Sequence, residues 1–384
     1  MSESFLQESE DVLKVSETEK ILESCDDCGA CVRSCMFLSH YCDSPRELAK
    51  RFKRNPLENI DIPFSCFLCG LCQRVCHKKL YPGDMFLEIR QKFFRNEEGQ
   101  PLPNDFVYDF IIPRLKGMRS HQTFSTSGLF TFGKKPDDNV SPVRRVFFPG
   151  CSLPSYSPRL VMKTYEYLRQ QMPGTGLALN CCGKPSHDAG DNERFSRIFN
   201  KTLQQLKSLG VEEVVLACIN CHQVFREHSD NKLTTVYEIF SERGLPTVYP
   251  ADSGLVSIHD SCPARYQPEI RQAVRELVSR IGFEISEMKY RNEMTQCCGA
   301  GGCATAGNPS LAFRHTQARA AQAKGRLITY CAHCRERFSS FTPSLHLLDL
   351  VFGASRDSHL KEYNDSWRNW FDRWYLKKRL RFIG

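Results

Sequence analysis

Two stretches decide how most of this chain folds: residues 213–221, EVVLACINC, and residues 326–334, RLITYCAHC. Each is a short, mostly apolar run that ends on Cys-x-x-Cys, the pattern of a strand buried on both faces. Upstream of each lies a helical segment, near Asn192 to Leu209 in one case and Ser310 to Lys324 in the other. Ahead of those stand Cys181-Cys182-Gly183 and Cys297-Cys298-Gly299, and ahead of these again are helical patterns at Pro158 to Gln170 and Pro268 to Ile281. Each series begins with a short apolar run, Val146-Phe147-Phe148 or Val256-Ser257-Ile258, that leads to Cys151 or Cys262. Corresponding cysteines lie 111, 116 and 113 residues apart, which marks an internal repeat. Alternating strands and helices predict two α/β halves with mainly parallel sheets, their cysteines at the carboxyl ends of strands, where such sheets place their sites.

The rest of the composition narrows the class. The chain has 384 residues, 41% apolar and 25% charged, which excludes disordered and collagen-like polymers and leaves room for two or three domains. No apolar run approaches the length of a membrane span, and the acidic N-terminus MSESFLQESEDVLKVSETEK has no apolar core, so neither a transmembrane helix nor a signal peptide is expected. That makes a cytoplasmic location the expectation. The 20 cysteines are the anomaly. In a large chain without a secretory signal, thiolate ligation of metal explains them better than disulfides. The formal charge of +8 counts these thiols as neutral. Cysteines that ligate metal are thiolates and would lower it, so the basic balance does not argue for nucleic acid.

Nine cysteines fall between residues 25 and 76. They include Cys25-x2-Cys28-x2-Cys31-x3-Cys35 and a second copy, Cys66-x2-Cys69-x2-Cys72-x3-Cys76. This spacing wraps three thiolates round one corner of a cuboidal 4Fe–4S cluster and sends the fourth cysteine to the other cluster. The expected ligand sets are therefore Cys25, Cys28, Cys31 with Cys76, and Cys66, Cys69, Cys72 with Cys35. A pair of zinc sites is the alternative, for which the spacing is unusual. Met36 and His77 stand where the run often has proline. Between the motifs, Ser44 to Pro56 predicts a helix capped by Ser44 with Pro45 in its first turn, and Asp84 to Arg95 predicts another. This region should be mostly helical.

The twin motifs resemble the two-cluster helical ferredoxin domain of multisubunit redox enzymes. The repeat resembles the CCG domains of the catalytic subunit of heterodisulfide reductase, and the whole chain resembles the single-chain form that fuses the two. The implied class is α+β multidomain: a helical ferredoxin domain at 1–117, a linker rich in Ser, Thr, Gly and Pro at 118–143, CCG domains at 144–250 and 251–352, and a tail at 353–384. The resemblance implies a non-cuboidal 4Fe–4S cluster in each half, with zinc in one half as the alternative. The implied ligands, which are also the catalytic positions, are Cys151, Cys181, Cys182, Cys218 and Cys221, and Cys262, Cys297, Cys298, Cys331 and Cys334. In that family a disulfide binds between the two clusters; each delivers one electron and captures one sulfur.

The function this implies is that of an oxidoreductase acting on sulfur groups within a complex, fed by a flavin-containing or membrane cytochrome partner chain, since no flavin or nicotinamide fingerprint is present. Its substrate would be a disulfide or thiol. The alternative is an electron-transfer component of a flavin-dependent glycolate, lactate or glycerol-3-phosphate dehydrogenase that delivers electrons to a quinone. Gly299-Ala-Gly-Gly302 could cradle a phosphate, but close backbone approach to a cluster is the expected use. Cys42 and Cys303 are left over and expected to be inert, with Cys303, five residues past Cys298, as the alternative lining of the second site. His187, His222, His259 and His333 are candidates to protonate a product thiolate, against plain hydrogen-bonding or packing roles. In the tail, Trp367, Trp370, Phe371 and Trp374 form a helical stripe among basic residues, with a net charge of +4 over 361–384. Such a helix could lie on the inner face of an anionic membrane, or cap the second half, or dock on a partner chain.

Overall fold

The computed structural model describes residues 16–96, 111, 113, 122, 133–134, 143–246, 254–353 and 371–376. In the first stretch seven helices, Glu17–Ser24, Ala30–Ser34, Met36–Tyr41, Pro45–Arg54, Asp61–Ser65, Leu71–Val75 and Pro82–Asn96, wrap two cysteine loops, and its described residues contain no strand. Ser44 caps the helix between the motifs, its hydroxyl accepting the Arg46 N–H at 3.1 Å. The apolar side of that helix, Leu48, Ala49 and Phe52, is buried toward the long helix Pro82–Asn96. There Phe86 meets Phe37 edge-on at 5.2 Å and Phe52 at 6.3 Å, contacts worth about 0.5–1.5 kcal/mol each beyond burial. The two residues that replace proline both have uses. Met36 opens the helix Met36–Tyr41, and His77 Nε2 lies 2.9 Å from the Asp26 carboxylate of the other motif.

The repeat folds into two sheets. The first half contributes β1 (Gly133–Lys134), β2 (Arg145–Phe148), β3 (Thr175–Ala178), β4 (Glu213–Leu216) and β5 (Lys232–Thr235) in the order β1-β3-β2-β4-β5. The second contributes β6 (Leu255–His259), β7 (Glu284–Ile285), β8 (Arg326–Thr329) and β9 (Ser344–His346) in the order β7-β6-β8-β9. All neighbours are parallel except β1, which runs antiparallel to β3. In each half the chain winds from its first strand to one side and then crosses to the other. The reversal falls between β2 and β4, and between β6 and β8. Cys151 and Cys218 follow one such pair, Cys262 and Cys331 the other, so four cysteines flank the two points where open α/β sheets bind ligands.

The helices between strands follow the expected spans closely: Pro158–Gln171, Asn192–Ser208, Pro268–Arg280 and Pro309–Ala320. The last stops short of Lys324, whose N–H is taken by the Ser257 hydroxyl at 2.8 Å as the chain turns into β8. A shared core joins the halves, where helix Val236–Arg243 packs against Pro268–Arg280. Val274, Leu277 and Val278 are fully buried there, each stabilising by about 1.5–3 kcal/mol.

Most of the expected linker lies outside the described residues. Of its described parts, β1 closes the edge of the first sheet. Gln122 is buried and accepts the Ser186 hydroxyl at 2.7 Å. These parts dock on the first half. In the tail, Trp367, Trp370 and most of the basic residues lie outside the described residues; residues 371–376 are helical. Leu376 is buried, Phe371 and Tyr375 are exposed, and Arg373 Nε donates to the Cys151 carbonyl at 2.9 Å. The described tail therefore reaches the first half at Cys151, where one of the three alternatives had it capping the second half.

Candidate metal centres

All twenty cysteines are free thiols. In the helical unit they gather as two sets. One cavity is lined by Cys25, Cys28, Cys31 and Cys76 with Ile21 and Leu80. Burial and the neighbouring Cys25 and Cys76 push the Cys31 thiol up to about 11. Cys35 points away from this cavity. Its thiol is pushed up by burial and then by Cys69 and Cys66, and burial with Cys66, Cys69 and Cys35 does the same to Cys72. The fourth cysteine of each motif thus stands with the first three of the other. Cys28 is exposed, and the second set lies deeper.

The ten thiols of the repeat form a path. Within the first half, Cys151 contacts Cys181, and Cys182 contacts Cys221, which contacts Cys218. Within the second, Cys262 contacts Cys297, Cys297 contacts Cys298, Cys298 contacts Cys334, and Cys334 contacts Cys331. The halves meet where Cys218 touches Cys331. Hydrogen bonds from Cys262 and Cys298 hold the Cys297 thiol well below the ordinary range; those from Cys218 and Cys334 do so for Cys331. Above this contact, the Tyr237 hydroxyl lies 2.9 Å from the Ala217 carbonyl and 2.8 Å from that of Tyr330. These residues precede Cys218 and Cys331, so one buried side chain pins both strand ends.

Close packing explains the glycines, partly against expectation. Gly150 has a φ of +78°, and a Cβ on it would meet Cys218 Cβ at 2.9 Å and Cys221 Sγ at 3.2 Å. This glycine, which no sequence motif flags, gives the thiols their room. Gly183 and Gly299, by contrast, face Phe195 and Thr316. The Gly299-Ala-Gly-Gly302 loop is a docking surface: Cβ atoms on Gly301 and Gly302 would strike the backbone of Phe67 and Cys66, and that on Gly301 also lies 3.3 Å from Cys297 Sγ.

Of the four histidines, His259 stands among the thiols. The His259 Nε2 atom is buried without a hydrogen-bond partner among the described residues. Its ring offers a nitrogen that lies, with Cys298 Sγ and Cys334 Sγ, in a group whose atoms are all within 4.8 Å of one another. Its Nδ1 accepts from Arg319 Nε at 3.4 Å, and burial, then Arg319, bring it down to about 3, so it is neutral. His222 is likewise buried and brought down to about 4 by burial and Arg226. His333 is exposed, and His187 lies against Asp188 at 3.2 Å. Cys42 bonds back to the Leu38 carbonyl and Cys303 faces the Pro185 carbonyl at 3.6 Å, away from the second thiol set.

Several residues at these centres carry no motif in the sequence. His315 Nε2 lies 3.0 Å from the Cys297 carbonyl, and its ring stacks on Phe67 at 4.4 Å, which links the helical unit to the second half. Arg90 and Arg265 are buried at the same junction, clamped on the carbonyls of Cys66 and Cys69. A signal for Arg90 existed: it sits four residues after Phe86 and three before Phe93, on the apolar face of its helix.

The donor sets suit iron–sulfur groups. Each gathers free sulfurs; in the repeat Gly150 and Gly301 leave room where a Cβ would intrude, and the second half presents a buried imidazole nitrogen without a partner among the described residues. Comparison with known proteins agrees. A family model described as a cysteine-rich domain, CCG, matches twice, at residues 145–226 and 256–339, and one described as a 4Fe–4S dicluster domain matches residues 24–81. An iron–sulfur protein of Methanococcus maripaludis is 25% identical over 339 residues, covering 82% of this chain and 67% of that one. A chain of the fumarate reductase (CoM/CoB) of Methanothermobacter marburgensis is 22% identical over 348 residues, with the same two coverages. A chain of the dihydromethanophenazine:CoB–CoM heterodisulfide reductase of Methanosarcina acetivorans is 21% identical over 372 residues, covering 84% of this chain and 90% of that one. A dicluster ferredoxin unit followed by two CCG units, with relatives of this kind along most of its length, makes this chain a heterodisulfide reductase-like iron–sulfur protein, an oxidoreductase that carries electrons.

Proposed function

We propose that this chain reduces a disulfide where its two cysteine-rich halves meet, as one component of a complex. The observation that carries the reading is the contact between Cys218 and Cys331, which brings the two thiol sets to one place. In this reading Cys25, Cys28, Cys31 and Cys76 hold an outer cuboidal group, and Cys35, Cys66, Cys69 and Cys72 an inner one. Five thiols in each half hold a non-cuboidal group. Such groups, when bound, supply electrons one at a time. The chain's own residues set the order of travel. Cys28 is exposed to a partner, Cys66 and Cys69 lie electrostatically against Cys297, and Cys331 touches Cys218. Electrons therefore enter the second half first. Two electrons and two protons convert one S–S bond into two thiols. Tyr237 keeps the two strand ends at a set separation, and neutral His259 offers a ring nitrogen beside Cys298 and Cys334.

The Methanosarcina relative's name supports disulfide reduction. The fumarate reductase relative favours a second reading, in which the chain only passes electrons between a flavin-bearing partner and another carrier. The test is turnover of the CoB–CoM heterodisulfide, with cystine as control, by the anaerobically prepared chain and a reduced viologen. Turnover by wild type that Cys218→Ser and Cys331→Ser each abolish, with the ferredoxin-type groups still reducible, is the expected result. A wild-type chain that reduces no disulfide selects the second reading. In either reading the partner is a flavin-containing or cytochrome chain. No described helix is long and apolar enough to cross a membrane.

A further inference from the structure

Helix Pro82–Asn96 carries Arg90 to the point where all three units meet. Its side chain is fully buried. Nε donates to the Pro63 carbonyl at 3.0 Å, and Nη2 to Pro63 at 2.6 Å and to Cys66 at 2.8 Å. Nη1 donates to the Gly302 carbonyl of the second half at 2.5 Å and to the Asp188 carbonyl of the first. Every donor is used, and none of these partners is a carboxylate. The Asp188 carboxylate is engaged elsewhere, by Lys184 Nζ at 3.0 Å and His187 at 3.2 Å. A guanidinium held by neutral carbonyls keeps its full charge, and burial spares it from screening by salt. That charge acts directly on the Cys66 thiol. Arg265, from the second half, repeats the arrangement: its Nη2 and Nε donate to the Cys69 carbonyl at 2.9 and 3.3 Å, and its charge acts on Cys69. The outer set is treated differently. Arg33 Nη1 reaches the Cys28 carbonyl at 3.0 Å, but in an exposed position.

We propose that Arg90, seconded by Arg265, is a positioning residue that raises the reduction potential of the inner group held by Cys35, Cys66, Cys69 and Cys72. This rests on the ligand reading given above. Reduction adds one negative charge to a group already bound by four thiolates. In a buried site protein dipoles and these two cations offset it. The step is a single-electron transfer from the outer group, itself reduced by a one-electron donor, with no bond made or broken. The two arginines make the inner group the better acceptor, which draws electrons toward Cys297.

The test is a redox titration followed by electron paramagnetic resonance on the full anaerobic chain, with a viologen mediator. Cys35→Ser identifies the inner group's signal by removing it. Arg90→Gln should lower that group's reduction equilibrium about tenfold, or about 59 mV for one electron, and leave the outer group in place. Arg90→Lys, which keeps the charge, should stay near wild type. Arg265→Gln should move the same signal in the same direction, and it carries the test if Arg90→Gln loses iron. Equal shifts in Arg90→Gln and Arg90→Lys, or no shift in Arg265→Gln at full iron content, would overturn the proposal. These potentials can be read whether or not any disulfide is turned over, so failure of the disulfide reading leaves the test intact.

Discussion

At the scale of single residues, the thiols group by which of them share a pocket rather than by which are neighbours in the chain. Cys35 follows Cys31 by four residues, yet its thiol faces Cys69 and Cys66. Cys76 lines the cavity of Cys25, Cys28 and Cys31. The consequence is a crossed phenotype. Cys35→Ser should remove the group built on Cys66, Cys69 and Cys72, and Cys76→Ser the group built on Cys25, Cys28 and Cys31. Spectroscopy of the reduced single variants decides; loss of the sequence-adjacent group in either one would refute the crossing. Spacing alone made these cysteines legible as ligands. It was silent on Arg265, His315 and Tyr237, and for Arg90 it gave only a place on the apolar face of its helix, because each works through carbonyls or rings that other segments supply.

Among the elements, the first sheet is tied by more than its ladder. Glu213 opens β4 almost buried, accepting the Thr234 hydroxyl of β5 at 2.8 Å and Arg145 Nε of β2 at 2.6 Å. Burial alone would raise this carboxyl, but Thr234, Arg145 and Lys232 together hold it below its usual range. A carboxylate with a depressed folded-state pKa contributes stability above its unfolded value, about 4.3, and loses it as pH falls through the folded one. The wild-type chain should therefore lose stability below about pH 4 in part through this group. Glu213→Gln should lower stability at neutral pH and flatten that acid-side fall. Denaturant titrations at neutral and acid pH measure both; an unchanged acid-side slope would show that Glu213 carries none of it. The strand itself was legible as an apolar run, whereas β3 and β5, of the same length, read TGLA and KLTT without a continuous apolar run, and β7 and β9 are only two and three residues long.

For the whole molecule, the arrangement is a line of thiols from an exposed cavity through a buried set to two joined halves. If every set is filled as proposed, the anaerobically isolated chain should carry about sixteen irons, four in each of four groups. Iron and zinc analysis of one preparation checks this. About eight irons with stoichiometric zinc would keep the helical unit and remove iron from the repeat.

The sequence by itself determined the local chemistry and the plan of the units. Two x2-x2-x3 motifs, two Cys-Cys-Gly pairs and two strands ending on Cys-x-x-Cys are short-range patterns, and short-range geometry follows from them wherever they occur. The duplication of 111 to 116 residues likewise implied two alike α/β halves, and their four repeated strands do share one order, because equal runs of strands and helices wind the same way; β1 is an addition to the first sheet alone. Only the tertiary structure decided how the units face each other. The contact between Cys218 and Cys331, the docking of Gly301 and Gly302 on Cys66 and Phe67, and the reach of Arg373 to Cys151 each join residues far apart in the chain. Such contacts depend on complementary surfaces formed after each unit has folded, and no spacing within one unit encodes the shape of another.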